Sequence, residues 1–406
     1  MSKFSTCKIA DIAEKIAMGP FGSNIKVATF VDSGVPIISG VHLRGFYLDE
    51  RPGYNYITEI HAQNLKNSTV YPEDIIFTHA GNVGQVAMIP QNCRFPYYMI
   101  SQRQFYLRCN KTKVLPQFVV YYLHSHEGQG KLLANVSQVG VPSIAQPSSF
   151  LKTIEIPLPS ISEQQKLVYI LDSINAKIEL NAQINQNLEQ QAQAIFKSWF
   201  VDFEPFKGGK FVDSELGPIP EGWSVGTLGD IIELHDSKRV PLSGSQREKM
   251  RKIYPYYGAA SLMDYVEDYL FDGVYLLLGE DGTVVTEDGM PVLQYVWDKF
   301  WVNNHAHILT GKRGCSPETL YILLKNTPIK SIVTGAVQPK ISQANLKSLP
   351  IVISPQELVL KYKESIAPLF AKIRENYDES KRLASLRDTL LPKLMSGEID
   401  VSEIEV

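Results

Sequence analysis

Two His-x-His triplets, "HSH" at residues 124–126 and "HAH" at 305–307, are by residue type the groups in this chain best suited to hold a metal. A zinc site needs three or four convergent ligands, and neither triplet sits near a Cys or carboxylate cluster at ligand spacing, so no metal is expected on them. The cysteines Cys7, Cys93, Cys109 and Cys315 are scattered with no C-x-x-C pair, which predicts reduced thiols in a cytoplasmic protein. Glycine pairs occur at Gly81 and Gly84 and at Gly279 and Gly282, but G-x-x-G is too short for a dinucleotide fingerprint and reads as a tight turn. "GKRGCS" (residues 311–316) is not a phosphate loop. No nucleophile, base and oxyanion set can be assembled, so the chain is expected to be no enzyme and to bind no cofactor of its own.

The positioning elements are more distinctive. Residues 161–200 contain no Gly and no Pro, and at about 1.5 Å per residue they predict a helical rod roughly 60 Å long. Alternating 4,3 spacing picks out Leu167, Leu171, Ile174, Ile178, Asn181, Asn185, Leu188, Ala192, Ile195 and Trp199, a stripe of strict 3.5-residue period that predicts a coiled-coil seam rather than a helix lying on a broad core. Ser162 and Gln165 are expected to form its capping box. A shift of 195 residues gives a second stripe: Tyr362, Ile366, Leu369, Ile373, Asn376, Ser380, Leu383, Arg387, Leu390 and Leu394. The polar interruption recurs at Asn181 and Asn376, the kind of buried Asn that fixes register and partner at some cost in stability. The two helices are expected to pair with each other, with a kink or delayed start at Pro368, which lacks an amide donor.

The repeat extends beyond the helices. "KIADIAE" (8–14) resembles "TLGDIIE" (227–233), "DIIFTHAGNVGQV" (74–86) resembles "DGVYLLLGEDGTV" (272–284), and "YMISQ" (98–102) matches "WVNNH" (301–305). "LPQFVVYYLHS" (115–125) matches "SPETLYILLKN" (316–326), each a helix begun by Pro. The expected fold class is α+β: two similar globules alternating with two long helices that pair as an antiparallel coiled coil, a pseudo-two-fold internal repeat. The boundaries are a globule at 1–159, a central spacer helix at 160–204, a Gly/Pro-rich linker at 205–223, a second globule at 224–353, a C-terminal helix at 354–396 and a tail at 397–406. No apolar run reaches the eighteen or so residues of a membrane span. Net charge is −3, yet residues 1–159 carry 14 Lys and Arg against 10 Asp and Glu, a slight basic bias that lends modest support to nucleic acid as a partner.

Local phrases fit one family. "GPFGSNIK" (19–26), "SGVPIISG" (33–40), "AGNVGQVA" (80–87), "SQRQFYLR" (101–108) and "YPYYGAASLMDYVEDYLFDGVYLLLGEDG" (254–282) resemble target-recognition domains. "IPLPSISEQQKL" (156–167), "WFVDFEPF" (199–206) and "LRDTLLPKLMSGEI" (386–399) resemble the rod boundaries of the specificity subunit of type I restriction–modification systems. The resemblance spans essentially the whole chain. It implies that each globule reads one half of a split, asymmetric target in double-stranded DNA. It also implies that the helices set the gap and dock two modification subunits, joined by two restriction subunits. S-adenosylmethionine, ATP and Mg2+ would sit on those partners. The assembled complex would be an adenine-N6 DNA methyltransferase and ATP-dependent endonuclease, with this chain non-catalytic. A scaffold whose globules bind proteins, or a silent specificity subunit, accounts for the rods equally well.

Side chains that contact phosphates or base edges are drawn mainly from Arg, Lys, Asn, Gln and Ser. On that basis the DNA-contacting candidates are Ser23, Asn24, Lys26, Arg44, Ser101, Gln102 and Arg103 in the first globule. In the second they are Lys238, Arg239, Arg247, Tyr256, Tyr257, Asn303, Asn304 and His305. Changing Lys238 and Arg239 together to Ala is expected to weaken DNA binding without unfolding the protein.

Overall fold

The computed structural model describes residues 4–22, 24–138, 140–335 and 337–405. The chain divides into two compact units, residues 1–179 with 379–406, and residues 180–378. Each is a mixed helix–strand body.

In the first unit the strand Ile75–Thr78 is buried along its whole length, as a continuous apolar run requires. It lies inside a four-stranded sheet ordered Ala13–Met18, Gln104–Cys109, Ile75–Thr78, Val86–Met88. A second sheet runs Asn55–Ile57, Val35–Ile38, Tyr98–Ile100, Thr69–Val70, with Val35–Ile38 antiparallel to its first neighbour and parallel to Tyr98–Ile100. Thr6–Lys8 pairs with Glu155–Pro157 and so ties together the two ends of the globular segment. The helix Pro116–His124 begins with Pro at its first position, where no amide donor is missed, and buries Phe118 to Leu123.

The second unit repeats this order strand for strand. One sheet runs Ile232–Leu234, Ala306–Gly311, Tyr275–Gly279, Leu293–Val296; the other runs Leu262–Val266, Tyr254–Tyr257, Lys299–Val302, Phe271–Asp272. Again one strand, Tyr254–Tyr257, has an antiparallel and a parallel neighbour, and Ser224–Thr227 pairs with Pro350–Ile353 at the ends. Backbone pairing corrects the repeat register read from sequence. Ile38 pairs with Ile100 and Tyr257 with Val302, which makes Ser101, Gln102 and Arg103 the counterparts of Asn303, Asn304 and His305, one residue away from the expected match. Gly81 donates its amide to Pro142 and Gly282 to Pro339, so these two glycines, both at positive φ, are equivalent; the expected match of Gly81 with Gly279 is three residues out.

The long helices are Ile161–Phe196 and Gln356–Ser396. The first is capped by Ser160 and Glu163, not by Ser162 and Gln165: the Ser160 amide donates to Glu163 Oε2 at 2.8 Å and the Glu163 amide to Ser160 Oγ at 3.3 Å. The second is continuous through Pro368 and Pro392. Both prolines and the residues four before them lie on the exposed side of the helix, where a missing amide donor costs least.

In the second unit the helices touch in opposite chain directions. Asn181 Nδ2 donates to the Asn376 carbonyl at 3.4 Å, Asn376 Nδ2 to Asn185 Oδ1 at 2.8 Å, Asn185 Nδ2 to the Ile373 carbonyl at 3.2 Å, and Tyr362 Oη to the Ala192 carbonyl at 3.0 Å. All three asparagines are buried. Ile366 and Ile373 share a core with Ala192, while Leu188, Ile195, Trp199 and Leu369 pack around it half-buried. In the first unit Leu167, Leu171 and Leu394 lie in one core with Leu390 at its margin, and Arg387 Nη1 donates to Asn175 Oδ1 at 2.9 Å. Ile174, Ile178 and Leu383 are half-buried.

The apolar face is wider than a coiled-coil seam. Phe196 and Phe370, off the predicted stripe, join Ile322 of the helix Pro317–Lys325. Val168, Leu391 and Met395 join the core of the first globule. The helices therefore pack on the globules as well as on each other, and the expected strict seam is corrected to that extent.

Candidate nucleic-acid interface

In each unit the ends of the central strands gather a set of loops. In the first, Gly19 donates its amide to the Gln104 carbonyl at 2.8 Å, and an added Cβ at Gly19 would stand 2.1 Å from the Ser101 carbonyl oxygen. No larger residue fits there. The Gln102 side-chain amide donates to the carbonyls of Gly22 and Ile25. His79 donates its amide to the Arg103 carbonyl at 2.9 Å and Nε2 to the Gln102 carbonyl at 3.1 Å, and Ala80 bridges to Ser143. Residues 19–22, 24–26, 79–81, 101–104 and 142–143 thus form one loop cluster. Asn24, Lys26, Gln102 and Arg103 are exposed on it, with Ser101 half-buried.

The equivalent cluster of the second unit is built by Glu280 donating its amide to the His305 carbonyl at 2.8 Å, Gly282 to Pro339, and the Asp281–Lys340 bridge. The segment around Asp236–Lys238 joins it through Arg239, whose Nη1 donates to the Ala306 carbonyl at 2.8 Å. Lys238, Asn304 and His305 are exposed here.

Several expected contacts are engaged elsewhere. Ser23 lies outside the described residues. Arg44 is exposed but lines a hollow beside Asp172 and Glu179 of the first long helix, apart from the loop cluster. Arg239 has its guanidinium 2.6 Å from Glu280 Oε2 and 3.6 Å from Asp236 Oδ2, with its side chain 14% exposed. Arg247 pairs with Asp264 at 2.9 Å and lies over the Tyr256 ring. Tyr256 is itself buried, its hydroxyl accepting the Leu242 amide. Tyr257 is half-buried against Phe300. Asn303 is buried and its Oδ1 accepts the His305 amide at 2.8 Å. Arg239, Arg247, Tyr256 and Asn303 thus have partners within the protein. An apolar cavity of about 420 Å³ lined by Phe196, Phe200, Trp223, Cys315 and Ile351 contains none of the candidates.

The support under the second cluster was invisible in sequence. Asp236, Glu280 and His307 bring potential ligand atoms within 4.8 Å of one another. Arg239 and, at 3.5 Å from Glu280 Oε1, Lys340 already supply cations, while Gln343 donates to Asp236 Oδ2 at 2.6 Å. The arrangement is an ion network rather than a vacant metal centre. His307, fully buried, bridges Asp236 Oδ2 (2.6 Å) and the Ile341 carbonyl (2.8 Å), whereas His305 points outward. The two histidines of the triplet face different surroundings, as do half-buried His124, bonded to the Val86 carbonyl, and exposed His126.

Burial pushes the Asp236 carboxyl up, but the His307 ring, the Ile308 amide and Arg239 outweigh it and hold the group below its ordinary value. A depressed folded value means that the stabilisation is present above the ordinary carboxylate range and lost as pH falls through it. Thermal melts from neutral pH down to about pH 3 should show a steeper acid loss for the native chain than for Asp236→Asn. Parallel curves would count against this role for Asp236.

The model of the type I restriction–modification DNA specificity domain matches residues 1–190 and 220–363, most of the chain and both globules. The chain belongs to that family. Type I specificity subunits recognise DNA sequence, and the paired globules are this family's domains. The chain is 29% identical to the MjaIX specificity subunit of Methanocaldococcus jannaschii over 98% of its own length and 94% of that protein's. It is 23% identical to the HindI specificity subunit of Haemophilus influenzae over 74% and 81%. The crystal structure of a type I S subunit from M. genitalium shares the fold, with a TM-score of 0.55 at 16% identity over 97% of this chain and 96% of that one. No helix among the described residues of this specificity subunit is long and apolar enough to cross a membrane.

Proposed function

We propose that each globule reads one half of a split, asymmetric DNA target through its loop cluster, and that the long helices set the gap and dock two modification subunits. The observation that carries this is the repetition of one strand order and one loop cluster in both units, with exposed cations in each cluster, Lys26 and Arg103 in the first and Lys238 in the second. The functional boundaries follow the sequence reading, 1–159 and 224–353 for the readers and 160–204 and 354–396 for the spacers. The helices pair antiparallel as a coiled coil within a pseudo-two-fold chain, consistent with the contacts of Asn181 and Asn376. A rod of roughly 60 Å readily spans readers about one DNA turn (~34–36 Å) apart. The chain itself is non-catalytic and works in the cytoplasm. Adenine methylation and, with two restriction subunits, ATP-dependent cleavage belong to partners carrying S-adenosylmethionine, ATP and Mg2+.

Co-expression with the modification subunit, followed by genome-wide mapping of N6-methyladenine, tests the proposal. A split motif of fixed gap that disappears when this chain is omitted is the expected result. A stable complex with no new methylation would favour a silent subunit or scaffold. Lys238→Ala should weaken binding of the assembled methylase to all duplexes alike and lower the salt slope by about one, with an unchanged melting temperature. Unaltered salt dependence would remove Lys238 from the interface.

A further inference from the structure

We infer that Arg103 and His305 are the corresponding specificity-determining side chains of the two globules, Arg103 reading a guanine and His305 the exocyclic amine of an adenine or cytosine. The inference rests on the proposed reading of the chain as the DNA-recognition subunit.

The two residues hold the same place. Each immediately precedes the long strand of its sheet, Gln104–Cys109 or Ala306–Gly311, and each accepts at its carbonyl the amide of the residue after the central strand, His79 or Glu280. Two of their neighbours are engaged in building the turn, while Asn304, the counterpart of Gln102, is exposed. Gln102 is bonded to the carbonyls of Gly22 and Ile25, and Asn303 is buried against the His305 amide. What remains exposed at this common position is one guanidinium and one imidazole.

The next position differs in a matching way. Ala80 bridges to Ser143 where Asp281 bridges to Lys340. Beside Arg103 the chain therefore has an alanine, and among the described residues the Arg103 side chain makes no hydrogen bond or ion pair. Its two-pronged donor fork is open to the O6 and N7 acceptors of guanine. Beside His305 the chain has a carboxylate, with Asp281 Oδ1 2.6 Å from His305 Nδ1. An ionised carboxylate only accepts, so Nδ1 carries the proton, and in the neutral form of the ring Nε2 presents a lone pair. A lone acceptor in the major groove selects the amino group of adenine N6 or cytosine N4 and is repelled by guanine O6 and thymine O4. Asp281 is then a positioning residue that fixes the tautomer.

The test uses the assembled methylase. N6-methyladenine mapping with the native chain must first give a split motif; if it gives none, the reading of function fails and this inference with it. Given that motif, Arg103→Ala should make one guanine position of one half-site degenerate, and His305→Ala one adenine or cytosine position of the other half-site, with the remaining positions unchanged. His305→Arg should shift that position towards guanine. Competition binding with duplexes changed one base at a time should show discrimination falling about tenfold or more at the affected position only. An unchanged motif, or an even loss of affinity at every position, would overturn the assignment.

Discussion

Ile366→Asp is expected to abolish the folded second unit, seen as loss of its melting transition or of recoverable protein. Ile366 is fully buried in the core that joins Ala192 and Phe196 of one long helix to Tyr362, Phe370 and Ile373 of the other, and to Ile322 of the globule. Removing a buried Ile side chain costs about 2–5 kcal/mol through lost transfer energy and the cavity left behind. A buried unpaired carboxylate adds several kcal/mol more. Their sum approaches the whole stability of a typical domain, about 5–15 kcal/mol. Lys363→Asp, on the exposed side of the same helix, should change stability by no more than about 0.5 kcal/mol. If both variants melted with the native chain, the helix contact would not hold the unit together.

The contact was legible in outline because it obeys a period. Forty residues without Gly or Pro, a stripe at 3.5 spacing and the shared interruption at Asn181 and Asn376 are local signals, and those two asparagines are hydrogen-bonded in the structure. Phe196 and Phe370 were not legible, since they face a third body, the globule, whose position no helical period encodes. The repeat shows the same division. Its order could be read from phrases, but matching glycine to glycine misplaced Gly81 against Gly279, because the loops between the strands differ in length. Hydrogen bonding fixes register, and it makes Gly282 the counterpart of Gly81.

The candidate interface was legible by segment and opaque by side chain. Residues 19–22, 24–26, 101–103 and 235–239 fall in the loop clusters. Composition cannot say which way each residue points. Tyr256 and Tyr257 are adjacent on a strand, and the two-residue period turns Tyr256 into the core at 2% exposure while Tyr257 stays at its margin. Likewise the short turn Asp236–Lys238 leaves Lys238 in solvent and carries Arg239 back over the strand ends. Glu280 and Asp236, more than forty residues apart in sequence, gave no hint that they would meet one guanidinium.

Arg239→Ala is therefore expected to act on stability, contrary to the reading of Lys238 and Arg239 as an equivalent pair. Its loss leaves Asp236, 2% exposed at the side chain, and Glu280, 15% exposed, with one cation fewer between them. Breaking a buried pair from one side costs about 3–5 kcal/mol, because the remaining charge keeps its desolvation penalty. Arg239→Lys should recover only part of this, since one ammonium cannot reproduce the guanidinium bonds to Glu280 and to the carbonyls of Asp236 and Ala306. Thermal melts of the three chains, with Lys238→Ala beside them, give the ordering: native and Lys238→Ala together, Arg239→Lys lower, Arg239→Ala lowest. An Arg239→Ala chain that melts like the native one but binds every duplex more weakly would make Arg239 a phosphate contact after all. The ion network would then be dispensable to the loops that His305 stands on.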